Sequence, residues 1–246
     1  MAMIAVATKY KNTNMCIDKH IYSHSGLRVG NAELIKLLTA DSGALMCDLH
    51  FTGYYQLDGI YPERISEIKK YILDHPDILL YSIDDPTVVY TYETKYIYGP
   101  SMIHAEAYDF ILHLRLEDVA HRDKYMCIKV EKFIDLLCAI DKAELSRRNA
   151  IVVHSTHTEF EEDYVRSIKR WFTENNISVI LEDNDIYTDF SLLSRCKILV
   201  CSMSTLSWSA AMLSDVLEKC YFPDYQANPC GQTLKYPIKN TILYMI

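Results

Sequence analysis

The 246-residue chain has no run approaching the ~18 consecutive apolar residues that a membrane-spanning helix needs, so no integral membrane segment is expected. Residues 1–8 are apolar but too few for a signal peptide, and the simplest location is a reducing, cytoplasmic compartment. Its eight cysteines show no C-x-x-C spacing, which leaves no readable zinc site or disulfide framework. Several, such as Cys138 and Cys201, lie inside apolar segments and read as small core residues. Positive charge is also short. Twenty-five Lys plus Arg stand against 33 Asp plus Glu, a net of −8, which argues against broad capture of nucleic acid. An anionic ligand must therefore be held by local cations. Finally, no Gly-rich loop of the dinucleotide or Walker type is present, which weighs against NAD and ATP chemistry. Internal repeats and low-complexity tracts are absent too.

What is present is a large apolar fraction, 50% of all residues, enough for a real core in one large domain or two small ones. Beyond residue 108, short apolar strands alternate with amphipathic helices. Strands are expected at 109–114, 150–154, 178–181, 197–201 and 218–222, and helices at 130–141, 159–175, 188–195 and 205–214. The third and fourth residue steps of Phe160, Tyr164, Val165, Ile168, Trp171 and Phe172 mark one apolar helix face, and Glu159, Glu161 and Glu162 suit its first turn. This alternation predicts an α/β fold with a parallel sheet covered on both faces. The first hundred residues are less regular. A strand at 3–8, a helix at 32–38, a strand at 44–51 and a helix at 62–73 opened by Pro62 suggest a second, smaller α/β unit. The stretch 83–100 reads as turns around one strand and as the crossover, giving expected domains 1–100 and 101–246.

Two segments roughly ninety residues apart carry the chemistry. His113-Leu114-Arg115-Leu116-Glu117-Asp118 follows one buried strand, and Cys201-Ser202-Met203-Ser204-Thr205-Leu206-Ser207-Trp208 follows another. The carboxyl ends of such strands are where open α/β sheets bind nucleotides. His113 and Arg115 fall on one side of their strand, so Arg115 can grip a diphosphate bidentately with Asp118 fixing the guanidinium. Equally, a strand-end Arg makes ordinary ion pairs with Glu117 or Asp118. Ser202, Ser204, Thr205 and Ser207 sit where hydroxyls cap a helix whose free N–H groups attract phosphate. Serine and threonine cap helices without any ligand as well, and Trp208, Ala210, Ala211 and Leu213 read equally as packing.

Taken together and in this order, the segments make the sequence similar to the fucosyltransferase superfamily, which includes the α-1,2-, α-1,6- and protein O-fucosyltransferases. His113, Arg115 and Asp118 match its H-x-R-x-x-D signature. The run from Ser202 to Ala211 resembles the S-x-S-x-x-S-W-W-A-A segment of the α-1,2 branch. The run from Asp189 to Cys196 looks like that branch's aspartate-led helix, and Thr52-Gly53-Tyr54-Tyr55-Gln56 resembles its G-Y-F-Q. The similarity spans roughly residues 51–223. It implies a GT-B type fold of two Rossmann-like units, an acceptor-side unit at 1–100 and a nucleotide-sugar unit at 101–246. It also implies no metal and no cofactor beyond a nucleotide-sugar donor, GDP-fucose. Carried over, Arg115 would bind the β-phosphate and, with Asp118 bracing it, polarise the leaving diphosphate. His113 would contact the nucleotide, Ser204 and Thr205 would hold phosphate oxygens, and Asp189 would support the nucleotide.

Four departures stand beside the match. His154-Ser155-Thr156-His157 replaces a Ser-Asp-Asp, Ser209 replaces the second Trp, and the G-G-L-G-N-Q start is only echoed by residues 26–31. About a hundred residues precede the first signature, so an abbreviated acceptor-side unit is expected. They loosen the assignment of guanine and fucose, and keep another UDP- or GDP-sugar, or a binding module without turnover, as alternatives. Among further candidates, His154 at a strand end can face the nucleotide, while His154 and His157 lack a carboxylate to complete a metal site. Glu182, Asp183 and Asp185 are either partners of a base or ribose or a solvated turn. Tyr54, Tyr55, Tyr61, Tyr90, Tyr92, Tyr96 and Tyr98 either stack on sugar or pave a half-buried strand. The general base is open among Asp118, Glu117, Asp58 and Glu93. The expected partners are a nucleotide-sugar donor and a glycan acceptor.

Overall fold

A computed structural model of the chain describes residues 16–17, 27–29, 49–51, 60–75, 77–82, 89–93, 108–116, 127–145, 150–224 and 240–245. The chain divides into two compact units, Met1–Pro100 and Ser101–Ile246. The expected strand at 3–8 and helix at 32–38 lie outside the described residues.

In the first unit, β1 (Cys16–Ile17), β4 (Asp77–Ser82) and β5 (Val89–Glu93) form one sheet, and β2 (Leu27–Val29) pairs in parallel with β3 (Leu49–Phe51). β1 runs parallel to β4, and β4 antiparallel to β5, with Asp77 opposite Glu93 and Tyr81 opposite Val89. β4 was not expected from the sequence, because a short continuous apolar run has no alternation to separate strand from helix. Helix α1 (Ile60–Asp74) has Pro62 in its first turn, where a missing N–H costs nothing. It buries Ile68 and Ile72, one turn apart on a single face, while Lys70 and Asp74 pair on the solvent side at 2.8 Å.

The second unit is a six-stranded, wholly parallel sheet. Its members are β6 (Tyr108–His113), β7 (Ala150–Val153), β8 (Val179–Glu182), β9 (Cys196–Val200), β10 (Lys219–Pro223) and β11 (Thr241–Tyr244). They lie in the order β11-β10-β9-β6-β7-β8. Counted within the unit this is 3-2-1-4-5-6 read from the far edge, the doubly wound Rossmann order. Alternate residues of the inner strands enter two different cores. Phe110, Leu112, Leu114, Leu116, Ala150, Val152, Val200, Tyr221 and Tyr244 join one cluster with α2 (Val130–Ala139) and α4 (Glu159–Glu174). Their neighbours Ile111, Ile151, Val153, Leu199 and Phe222 are buried on the opposite face, where α5 (Ile186–Ser194) and α6 (Thr205–Leu213) pack against each other and α5 against β6 and β9. The short α3 (Lys142–Leu145) leads into β7. The α/β class and the parallel sheet with helices on both faces are therefore as the alternation predicts. Each fully buried Ile, Leu or Phe here contributes about 2 kcal/mol.

Helix α4 shows how locally the boundaries are written. Thr158 caps it, accepting from the Glu161 N–H, while the Glu161 carboxylate accepts from the Thr158 N–H at 3.0 Å, a closed capping box. At the other end Asn176 takes φ 57°, a left-handed conformation that asparagine tolerates. The Asn176 N–H then bonds Thr173 O at 3.0 Å and the Ile177 N–H bonds Phe172 O at 2.9 Å, a Schellman closure. Ile177 and Phe172 meet in the core beneath it. One residue of the apolar face departs from expectation: Phe160, in the first turn, is 57% exposed and meets Tyr164 edge-on. α5 begins two residues before the expected 188, because the Asp185 side chain accepts from the N–H groups of Tyr187 and Thr188 and sets the start.

Candidate functional site

In a 3-2-1-4-5-6 sheet the chain leaves in opposite directions from the first and fourth strands, which opens a crevice at their carboxyl ends. Here those strands are β6 and β9, paired from Tyr108 with Cys196 to Leu112 with Val200. The two segments singled out above leave the sheet side by side at this point. Leu114 and Leu116 continue the alternation of β6 into the core, and His113 and Arg115 take the other side.

The segments are bonded to each other. Arg115 Nη1 donates to Met203 O at 2.8 Å, and Ser202 Oγ lies 3.0 Å from His113 Nδ1. The backbone turns tightly, with the Ser204 N–H on Ser202 O at 2.8 Å. Ser204 then caps α6, its Oγ accepting from the Leu206 N–H at 3.1 Å. Ser202, Ser204 and Ser207 are all buried, and Ser207 Oγ donates back to Ser204 O at 3.3 Å. His113 is buried. Burial, reinforced by the adjacent Arg115 charge, pushes its pKa down to about 3, so the imidazole is neutral at physiological pH. The Arg115 guanidinium and the start of α6 thus lie beside each other at this turn. No acidic residue occupies the first turn of α6.

One and two strands further on, the sheet edge changes sign. His154 directly follows β7, its N–H bonded to Glu182 O at 2.9 Å and its buried Nδ1 3.9 Å from Asp183 Oδ2. Burial lowers its pKa, and Asp183 opposes that. Thr156 approaches Asp183 with both its N–H and its hydroxyl at 3.4 Å. Asn184 Nδ2 bridges Glu182 Oε2 at 3.1 Å and Asp189 Oδ1 at 3.3 Å. Asp189 is buried in α5. Desolvation raises its pKa to about 6; the Asn184 bond opposes the shift, and Asp183, Asp185 and Glu182 add to it. No group of three or more His, Cys, Asp or Glu among the described residues is disposed to hold a metal ion.

Of the residues expected to form the site, His113, Arg115, Ser202 and Ser204 meet at the β6–β9 crevice. Thr205 opens α6 there, Ser207 lies inside that helix, and His154 and Asp189 belong to the β7–β8 edge. Asp118, Glu117 and Asp58 lie outside the described residues, and Glu93 is the last residue of β5. One contributor had no sequence signal. Tyr244, in the unforeseen strand β11, is buried and donates to Cys201 O at 2.6 Å. A four-residue strand far from both motifs announces itself only by its apolar run.

No helix among the described residues is long and apolar enough to cross a membrane. No protein-family model matches the chain, and no curated protein matches it. Among solved structures, E. coli heptosyltransferase WaaC with ADP is similar over 57% of this chain, at 15% identity and a TM-score of 0.38. The match spans 39% of that protein's length.

Proposed function

We propose that the chain is a GT-B type glycosyltransferase of a reducing, cytoplasmic compartment, which transfers a sugar from a nucleotide diphosphate donor to a glycan hydroxyl. The donor is GDP-fucose. The observation that carries this reading is the meeting of Arg115 with the Ser202–Ser204 turn at the switch point of the parallel sheet, at 2.8 Å through Met203 O. These are the two segments by which the sequence resembles the fucosyltransferase superfamily. A cation beside an acid-free helix start is a natural seat for two phosphates.

Transfer proceeds as a metal-independent, inverting single displacement. The acceptor oxygen forms a bond to the anomeric carbon as the bond from that carbon to the β-phosphate oxygen breaks, and the electron pair leaves with the diphosphate. The acceptor proton passes to a carboxylate, for which Asp118, Glu117, Asp58 and Glu93 are the candidates. Arg115 and the α6 dipole stabilise the charge that grows on the departing phosphate, and Asp118 steadies the guanidinium. Neutral His113 holds the crevice wall without adding charge. His154 and Asp189 serve the nucleoside side.

The test is differential stabilisation. GDP at a hundredfold excess over its Kd adds about 2.7 kcal/mol, read as a rise of several degrees in Tm, and Arg115→Ala removes most of it. Stabilisation by UDP but not GDP overturns the fucose assignment and favours another donor, an option motivated by His154-Ser155-Thr156-His157 where the family carries Ser-Asp-Asp. GDP binding without consumption of any donor leaves a binding module.

A further inference from the structure

The turn that joins β9 to α6 is held residue by residue from three directions. Cys201 O accepts from Tyr244 Oη at 2.6 Å, Ser202 Oγ pairs with His113 Nδ1 at 3.0 Å, and Met203 O accepts from Arg115 Nη1 at 2.8 Å. Two of these partners come from the β6 end that faces the crevice. The third reaches in from β11, the far edge of the sheet, across β10. Tyr244 is well anchored for this. Its ring packs on Phe133 at 6.0 Å between centroids, its carbonyl accepts the Asp224 N–H at 2.8 Å, and its strand is in register with β10 from Thr241 to Tyr244.

Because a trans peptide is planar, holding the carbonyl of one residue orients the N–H of the next. Tyr244 thereby sets the Cys201–Ser202 peptide, and Arg115 sets the Met203–Ser204 peptide that delivers the cap of α6. We infer that Tyr244 is a positioning residue for the anion-binding start of α6, acting through Cys201 O and touching no ligand itself. The inference rests on the nucleotide reading above. Loss of the phenol leaves a buried carbonyl without its donor, and the turn relaxes to find another partner at the expense of the arrangement Arg115 completes.

Tyr244→Phe tests this, since it keeps the ring that packs on Phe133. Tyr164→Phe is the control, because it deletes another phenol-to-carbonyl bond of 2.6 Å, to Ile128 O, in the same core cluster. Affinities for GDP, UDP and inorganic pyrophosphate are measured by calorimetry, with Tm recorded for each protein. The expected result is a roughly tenfold loss of affinity for pyrophosphate and for whichever nucleotide binds in Tyr244→Phe, from one lost hydrogen bond. Tyr164→Phe loses comparable Tm and no affinity. Unchanged affinity in Tyr244→Phe, or an equal loss in Tyr164→Phe, overturns the positioning role while the nucleotide reading stands. Failure of the unmodified protein to bind any of the three probes overturns both.

Discussion

Helices α4, α5 and α6 follow β7, β8 and β9 in turn, and they treat their own N-termini differently. α4 opens with Glu159, Glu161 and Glu162 and closes its first turn with a capping box. α5 opens on Asp185, whose carboxylate takes two backbone N–H groups, with Asp189 one turn in. α6 opens on an uncharged serine, has no acid in its first turn, and has Arg115 bonded to the turn just before it. The first two helix dipoles are answered from within the helix, and the third is left to be answered from outside. In a chain with a net charge of −8, a helix first turn without acids matters to the proposed anion site as much as a nearby cation does.

That contrast can be broken most severely at Arg115. Arg115→Ala should weaken binding of GDP or pyrophosphate about a hundredfold, the size of a charge-assisted contact, as read by calorimetry. A smaller effect is expected from His113, whose burial makes stability depend on pH. Its folded pKa of about 3 lies below the ordinary histidine value of 6.5, so the unfolded chain binds the extra proton on acidification. Stability present above pH 6.5 is lost as pH falls toward 3, by at most about 1.4 kcal/mol per pH unit. Denaturant unfolding at pH 7 and pH 4 should show that His113→Asn removes this acid-side loss, so that the variant gains stability at pH 4 relative to the parent; an unchanged difference between the two pH values would contradict a buried neutral imidazole.

The next change imposes the α4 pattern on α6. Thr205→Glu adds an acid to the first turn, so it should hold or raise Tm while cutting pyrophosphate affinity about fivefold, the reach of one dipole-scale charge effect. Unchanged affinity would show that the α6 start does not face the anion. The smallest effect is expected at Asp189. Its raised pKa means that the native state holds a proton which the unfolded state has released, so its ionisation destabilises the fold as pH rises from the ordinary carboxylate range to about 6. Asp189→Asn should gain a few degrees in Tm at pH 8 and nothing at pH 4. Between those limits Asp189 and His113 act in opposite directions, so the parent protein should be flatter in pH than either variant.

How much of this was readable beforehand follows from the physics of each signal. β6, β7, β9 and β10 announced themselves as apolar runs spaced by amphipathic helices, and Thr158, Glu161 and the Asn175-Asn176 pair wrote the ends of α4 into adjacent residues. β1, β2, β4 and β11 were missed, because two- to six-residue runs without alternation carry too few positions to define a period. Within the site, Arg115 and the serine run stood out by position after their strands. That Arg115 spends a bond on Met203 O, that His113 is neutral and that Tyr244 enters the same turn were invisible, since each depends on a partner at least 43 residues away in the chain.

The sequence alone therefore determined the α/β class, the parallel sheet and the identity of the two strand-end segments. Those depend on local periodicity, capping and charge, which neighbouring residues specify. Only the tertiary structure decided the strand order that makes β6 and β9 neighbours. With it came the contact that turns two ordinary strand ends into one crevice, and the separation of that crevice from the acidic β7–β8 edge. Strand order is set by how helices of a given length cover a twisted sheet, and that is a property of the whole packed unit.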